Sequence, residues 1–376
     1  MKEKVRYISA DLLRGLVIII MIEVHVFNAF LLPELRHSRW FGILNFINGL
    51  VAPSFLFVSG FAFEVSSGSK LDEMRKLGKA FRKKIGRIFQ IIIIGYALHL
   101  PFYSFSKIIN NSTPQQLESF WAVDVLQCIG FGLLFLFLTR LLIKSDKFYY
   151  NFLIVSLIIV TLISPLLWKI DFNQYVHPFI GNYFNRLHGS LFPIFPWLNF
   201  LLAGALFAKY FINARNDNTE ERFIKKSAIA GLVTLLFGHL FYSGLFPKEL
   251  TSILPNPIFF LERLGYILVL FYLCWLADRK YNFKPDFILD ASRESLLIYW
   301  LHLIIIYGMF WGGKSLAGKI GNTMNLPEAI GVTLILIMLM ILVAKLWGWI
   351  KETNPNYALL GVKILIAIFT IMFFVF

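Results

Sequence analysis

Arg14 and His25 are the residues of this chain whose types and spacing most suggest chemistry. Both lie in or beside the apolar stretch from Leu12 to Leu32, which also carries Glu23. An ionisable group at a bilayer centre costs roughly 2.5 kcal/mol or more, so such groups are rare and usually functional. Eleven residues separate Arg14 from His25. At 100° per residue that is about 1100°, within about 20° of three full turns, and the rise is about 16 Å. One helix face therefore carries a cation near one membrane surface and an imidazole about halfway across. That arrangement suits a ligand with an anionic end in water and a reactive end in the membrane. The planar fork of Arg binds phosphate in a bidentate way. A neutral imidazole can serve as a general base. Asp11, three residues before Arg14, is its neighbour on the first turn and can orient it.

Each of these residues also has a plainer reading. Arg14 and Asp11 can form a local ion pair, or Arg14 can snorkel to headgroups. His25 can be a neutral core histidine bonded to a carbonyl. Glu23 points about 160° away from His25 and is expected to serve a separate partner.

The elements that must position these groups follow from composition. The chain has 376 residues, of which 58% are hydrophobic. Apolar segments of about 20 residues recur along its length, which predicts an all-α, polytopic integral membrane protein. About eleven spans are expected, near 10–32, 43–65, 87–104, 121–143, 150–168, 193–213, 227–246, 262–278, 293–313, 327–349 and 357–376. The first is too long, with the wrong flanks, to be a cleaved signal peptide. A single transmembrane domain is expected over residues 1–376.

The net charge of +14 reads here as cytoplasmic loops rather than as a nucleic-acid surface. Basic residues gather in the N-terminal tail (Lys2, Lys4, Arg6) and above all between spans two and three, where Lys76, Arg82, Lys83, Lys84 and Arg87 stand. These loops fall on one side if the N-terminus is cytoplasmic, and an odd span count then puts the C-terminus outside. The composition suggests a bacterial cell membrane, the inner one. Cys128 and Cys274 read as buried small hydrophobes. No metal spacing and no Gly-rich phosphate loop is present, so no metal cofactor is expected and a nucleotide-driven pump is disfavoured.

Other polar groups are scattered through the expected spans. Span two carries Asn45 and Asn48 before Pro53, and the proline predicts a kinked helix beside a polar cavity or a packing surface. Asp124 and Gln127 lie on adjacent turns at the outer end of span four. His99, His239 and His302 sit within spans, His302 at the end of Ser295-Leu296-Leu297-Ile298-Tyr299-Trp300-Leu301-His302. His37 lies in a short outer loop beside Trp40, and His177 and His188 in the longest one. Singly, each reads as structural; together they make an interior more polar than a passive bundle needs.

Ser9-Ala10-Asp11-Leu12-Leu13-Arg14-Gly15, an apolar helix, and then His37-x-x-Trp40-x-Gly42 resemble the opening of the heparan-α-glucosaminide N-acetyltransferase family. Ala52-Pro53-x-Phe55-x-Phe57-x-x-Gly60, Val125-Leu126-Gln127-x-Ile129-Gly130 and Phe195-Pro196-Trp197-Leu198 are similar to its later segments, as is the stretch from Ser295 to His302. Arg14-x10-His25 also resembles the motif of bacterial membrane acyltransferases that modify surface polysaccharides. The resemblance implies acyl transfer from cytosolic acetyl-CoA to a sugar or surface glycan on the other side of the membrane. It places Asp11 and Arg14 at the entry motif, His37 at the family's loop histidine and His25 at the catalytic histidine of the polysaccharide enzymes. Two departures stand out: Asn48-Gly49 where the heparan branch has an Asp, and Cys128 where it has a basic residue.

On this reading Arg14 and Asp11, helped by Arg82, Lys83 and Arg87, hold the phosphates of acetyl-CoA. His25 or His37 acts as base. Asn45, Asn48, Asp124, Gln127 and His302 are weaker candidates for substrate or oxyanion contacts. Expected partners are acetyl-CoA, the glycan, membrane lipid and a second copy of the chain, with no nucleic acid. The rival reading is a membrane transporter or a lipid or glycan flippase, which broken helices and midplane ionisable groups suit equally well.

Overall fold

The computed structural model describes residues 6–309 and 314–375. Residues 310–313 of the expected span 293–313 lie outside the described residues, as do Lys2 and Lys4 of the basic tail and Phe376. Among the described residues the chain is all-helical, and β pairing is confined to an isolated bridge between Leu31 and Met324. The longer helices are α1 (Ile8–Phe30), α2 (Arg39–Asn48), α3 (Val51–Ser67), α4 (Lys79–Leu98), α5 (Val125–Leu142), α6 (Asp146–Leu167), α7 (Ile194–Asn216), α8 (Glu220–Leu240), α9 (Pro257–Arg279), α10 (Asp286–Arg293), α11 (Ser295–Tyr307), α12 (Leu326–Thr353) and α13 (Pro355–Val375).

Among the described residues, eight helical stretches are long and apolar enough to cross a membrane: Arg39–Ser67, Val125–Leu142, Asp146–Leu167, Ile194–Asn216, Glu220–Leu245, Pro257–Arg279, Leu326–Thr353 and Pro355–Val375. They coincide with eight of the eleven expected spans. The other three expectations, 10–32, 87–104 and 293–313, fall on α1, α4 and α11. The last is shorter than expected. The helix breaks between Arg293 and Ser295, leaving α11 with 13 residues and a length of about 20 Å against a hydrocarbon core of about 30 Å. Pro53 produces no kink. The break instead falls at Gly49 and Leu50, whose N–H groups bond back to Asn45 and Ile47. Pro53 then sits in the first turn of α3, where its missing N–H goes unneeded.

The chain forms two compact units. Unit 1 comprises residues 1–51, 100–117 and 274–376. Here α1 packs on α10, α11 and α12, and α13 packs on α12. Gly15 lets α1 meet α10 closely, since a Cβ there would lie 2.2 Å from the Ile288 carbonyl oxygen. A capping box between Asn325 and Glu328 starts α12.

Unit 2 comprises residues 52–99 and 118–273. Its core joins α7 to α5 and α6, and α4 to α5. Rings of Phe57, Phe207 and Phe271 interleave, Phe207 and Phe271 at 4.9 Å between centroids. Helices α3 and α7 touch backbone to backbone at Gly204, where a Cβ would lie 1.9 Å from the Phe57 carbonyl oxygen. Such small-residue contacts are the usual means of close helix approach in a membrane.

Candidate active site

Unit 1 gathers the two groups that the first helix was expected to present. At the start of α1, Arg14 donates from Nη2 to Asp11 Oδ1 at 2.7 Å and from Nε to Ser292 Oγ at 2.9 Å. Asp11 also accepts from Arg6 Nε at 2.5 Å. Asp11 therefore joins two guanidinium groups, and Ser292 on α10 fixes the plane of Arg14. The Arg14 side chain keeps 27% of its surface exposed. A charged fork held in one plane with part of its surface in solvent has less side-chain freedom left to lose on meeting an anion.

Three turns along α1, the half-buried ring of His25 lies 5.2 Å from the ring of His302, tilted by 49°. Tyr307 stands edge-on to His25 at 6.0 Å, and its hydroxyl donates to the His25 carbonyl oxygen at 3.3 Å. His302 is fully buried on α11. Its Nδ1 lies 2.6 Å from the carbonyl oxygen of Ile298, while its Nε2 is buried with no hydrogen-bond partner among the described residues. Beyond His25 the helix end is tied down by Arg36, whose Nη2 donates to the carbonyls of Phe27, Asn28 and Leu31. This satisfies acceptors that a helix C-terminus leaves open.

The remaining expected residues distribute unevenly. Glu23 accepts from Asn48 Nδ2 at 3.5 Å, on the side of α1 away from His25. His37 lies exposed in the 3-10 turn Pro33–His37, and Asn45 is exposed on α2. In unit 2, Asp124 caps α5 by accepting from the Val125 N–H at 2.7 Å, with His99 Nε2 at 3.7 Å from its other oxygen. Gln127, one turn on, is fully buried and neither of its amide atoms has a partner among the described residues. Arg82, Lys83 and Arg87 are exposed along α4. Their neighbour Lys84 turns inward instead, donating to Ser66 Oγ at 2.5 Å and lying 4.4 Å above the ring of Phe63.

Sequence reasoning missed a charged cluster in unit 2. Glu64, buried on α3, accepts from the Tyr150 hydroxyl. Arg140 lies 4.5 Å from the centre of the Tyr149 ring and pairs with Asp146 at 2.7 Å. Lys209 sits 5.1 Å above Tyr150. The signal was present in Glu64, a carboxylate in the otherwise apolar run from Phe61 to Val65. A second cluster lies in the loops of unit 2, where His188 bridges Glu118 (2.5 Å) and Asp171 (2.7 Å). The bonded Asp171 carboxylate raises the pKa of His188 above its ordinary value, and His188 in turn lowers that of Asp171. No group of three or more His, Cys, Asp or Glu residues among the described ones is arranged to hold a metal.

The family profile described as heparan-alpha-glucosaminide N-acetyltransferase, catalytic, matches residues 6–242. The chain belongs to this family. No curated protein matches it. Membership in this N-acetyltransferase family, with eight helical stretches among the described residues fit to span a bilayer, makes the chain a multi-pass membrane transferase. The matched segment contains Asp11, Arg14, His25 and His37 as well as Glu64 and Gln127; His302 lies beyond it.

Proposed function

We propose that the chain transfers an acetyl group from cytosolic acetyl-CoA to a sugar or surface glycan on the extracytoplasmic side of a bacterial inner membrane. On this reading the N-terminus is cytoplasmic, the chain crosses the membrane eleven times and residues 1–376 act as one transmembrane acyltransferase. The observation that carries the reading is the first helix itself: Arg14, pre-ordered and open to solvent at one end, and His25 three turns away against a second buried imidazole.

The residues fit the donor. Arg14, oriented by Asp11 and Ser292, meets its phosphates. The exposed row of Arg82, Lys83 and Arg87 raises the local concentration of a polyanion at the cytoplasmic surface. Between Arg14 and His25 the face they share carries Ile18, Met21 and Ile22, all buried, with Glu23 pointing away from it, so the pantetheine arm passes beside this apolar seam.

His25 acts as the base. Its imidazole takes the proton of an acceptor hydroxyl or amine as the acceptor oxygen or nitrogen bonds to the thioester carbonyl carbon. The carbon–sulfur bond then breaks, and the His25 imidazolium returns the proton to the departing thiolate. The products are the acetylated acceptor and free CoA. His37, exposed on the loop after α1, receives the acceptor. The Asn48 amide pairs with Glu23 and the Asn45 side chain faces outward, so neither is assigned the oxyanion.

Isothermal titration of the purified protein with acetyl-CoA tests the donor. Saturable binding that weakens in Arg14→Ala supports it. Absence of binding at millimolar acetyl-CoA by folded protein removes the transferase mechanism and favours a transporter.

A further inference from the structure

His302 is a buried polar group that the mechanism above leaves idle. Its surroundings fix its chemistry. The Ile298 carbonyl can only accept a hydrogen bond, so Nδ1, 2.6 Å away, carries the ring proton of the neutral imidazole. The tautomer follows from this partner, as it does for any imidazole whose one nitrogen faces a carbonyl. Nε2 is then a lone pair: a strong acceptor, buried, with no donor among the described residues. Buried acceptors without partners are rare and costly. One that persists beside another imidazole calls for a donor.

The nearest ring is that of His25, at 5.2 Å between centroids. At that separation nitrogens on facing edges can come within the about 3 Å of a hydrogen bond. His302 is fully buried and pinned to its own helix, whereas His25 is only half-buried. Of the two rings, His25 is the one with more room to reorient.

We propose that His302 is a positioning residue for the acyl transfer. Its Nε2 accepts a hydrogen bond from the N–H of His25, which puts the lone pair on the other His25 nitrogen, the one that takes the proton of the acceptor. This assigns to a neutral imidazole the orienting task that a carboxylate performs in a Ser-His-Asp triad. A carboxylate would also stabilise the imidazolium through its charge; a neutral ring supplies orientation and the hydrogen bond alone. The proposal rests on His25 being the base.

Two substitutions separate the two edges of the ring. His302→Asn keeps an N–H for the Ile298 carbonyl and removes the acceptor at the Nε2 position. His302→Gln keeps an oxygen near the Nε2 position and gives up the Nδ1 donor. Acetyl transfer to glucosamine oligosaccharide is measured for both variants in lipid nanodiscs, with thermal unfolding to confirm that each is folded. The expected result is a kcat lowered by about 10- to 100-fold in His302→Asn, the size typical when the group orienting a functional imidazole is lost. KM for acetyl-CoA should stay unchanged, and His302→Gln should recover part of the loss. Full activity in folded His302→Asn, or a loss confined to KM, overturns the proposal while leaving His25 as base. An unaffected His25→Ala variant would overturn the underlying reading instead.

Histidine-selective 15N spectroscopy gives a readout independent of turnover. The Nε2 resonance of His302 should shift when His25 is replaced by Ala. An unchanged resonance contradicts the hydrogen bond.

Discussion

The rings of His25 and His302 lie 5.2 Å apart although 277 residues separate them in the chain. Helix α1 brings the first and α11 the second, and the bridge between Leu31 and Met324 ties the end of α1 to the start of α12. The distance between the rings is thus set by the packing of unit 1 and by no local pattern.

Arg14→Ala should raise KM for acetyl-CoA by about 10-fold or more, in line with loss of a charge-assisted bidentate contact, and should change kcat little. Initial rates at varied donor concentration check this. Asp11→Asn should give a smaller change in the same direction, because it loosens the guanidinium without removing it. An unchanged KM in Arg14→Ala removes that residue from the donor site.

Gly204→Leu should destabilise unit 2. Even a Cβ at this position meets the Phe57 carbonyl oxygen at 1.9 Å, so α3 and α7 must separate. Overpacking of this kind costs about 1–3 kcal/mol. The measurement is thermal unfolding in detergent; Gly42→Leu, where a Cβ would meet nothing within 4 Å, serves as the control and should leave the midpoint in place.

The bridge of His188 to Asp171 and Glu118 should make the loops of unit 2 sensitive to pH. His188 has a raised pKa in the folded state, so its contribution is complete below the unfolded value of 6.5 and is lost as pH rises through the folded value. Asp171 has a lowered pKa, so its contribution is present above 3.8 and is lost as pH falls through the folded value. Protection of segment 171–190 from a broad-specificity protease should therefore be greatest between pH 3.8 and 6.5 and decline above that window. His188→Gln should flatten the decline.

Much of this arrangement was legible in the sequence. The Arg14–His25 register follows from the helical repeat, and most spans follow from runs of apolar residues. What was not legible depends on tertiary partners. Lys83, Lys84 and Arg87 are all basic, and only packing shows that Lys84 turns inward onto Ser66 and Phe63. Pro53 reads as a kink until the break at Gly49 places it in a first turn. Nothing local in the sequence marks Tyr150 as the partner of Glu64. His302 appeared as one polar residue among several; its bare Nε2 and its neighbour His25 emerge only when α1 and α11 pack.

The most direct test of the account is acetyl transfer by the purified protein in nanodiscs, with labelled acetyl-CoA and glucosamine oligosaccharide, comparing wild type with His25→Ala. The account predicts label on the sugar with wild type and a rate at least about 100-fold lower with His25→Ala, while titration shows that acetyl-CoA still binds the variant. A His25→Ala rate equal to wild type would contradict it and shift the base to His37.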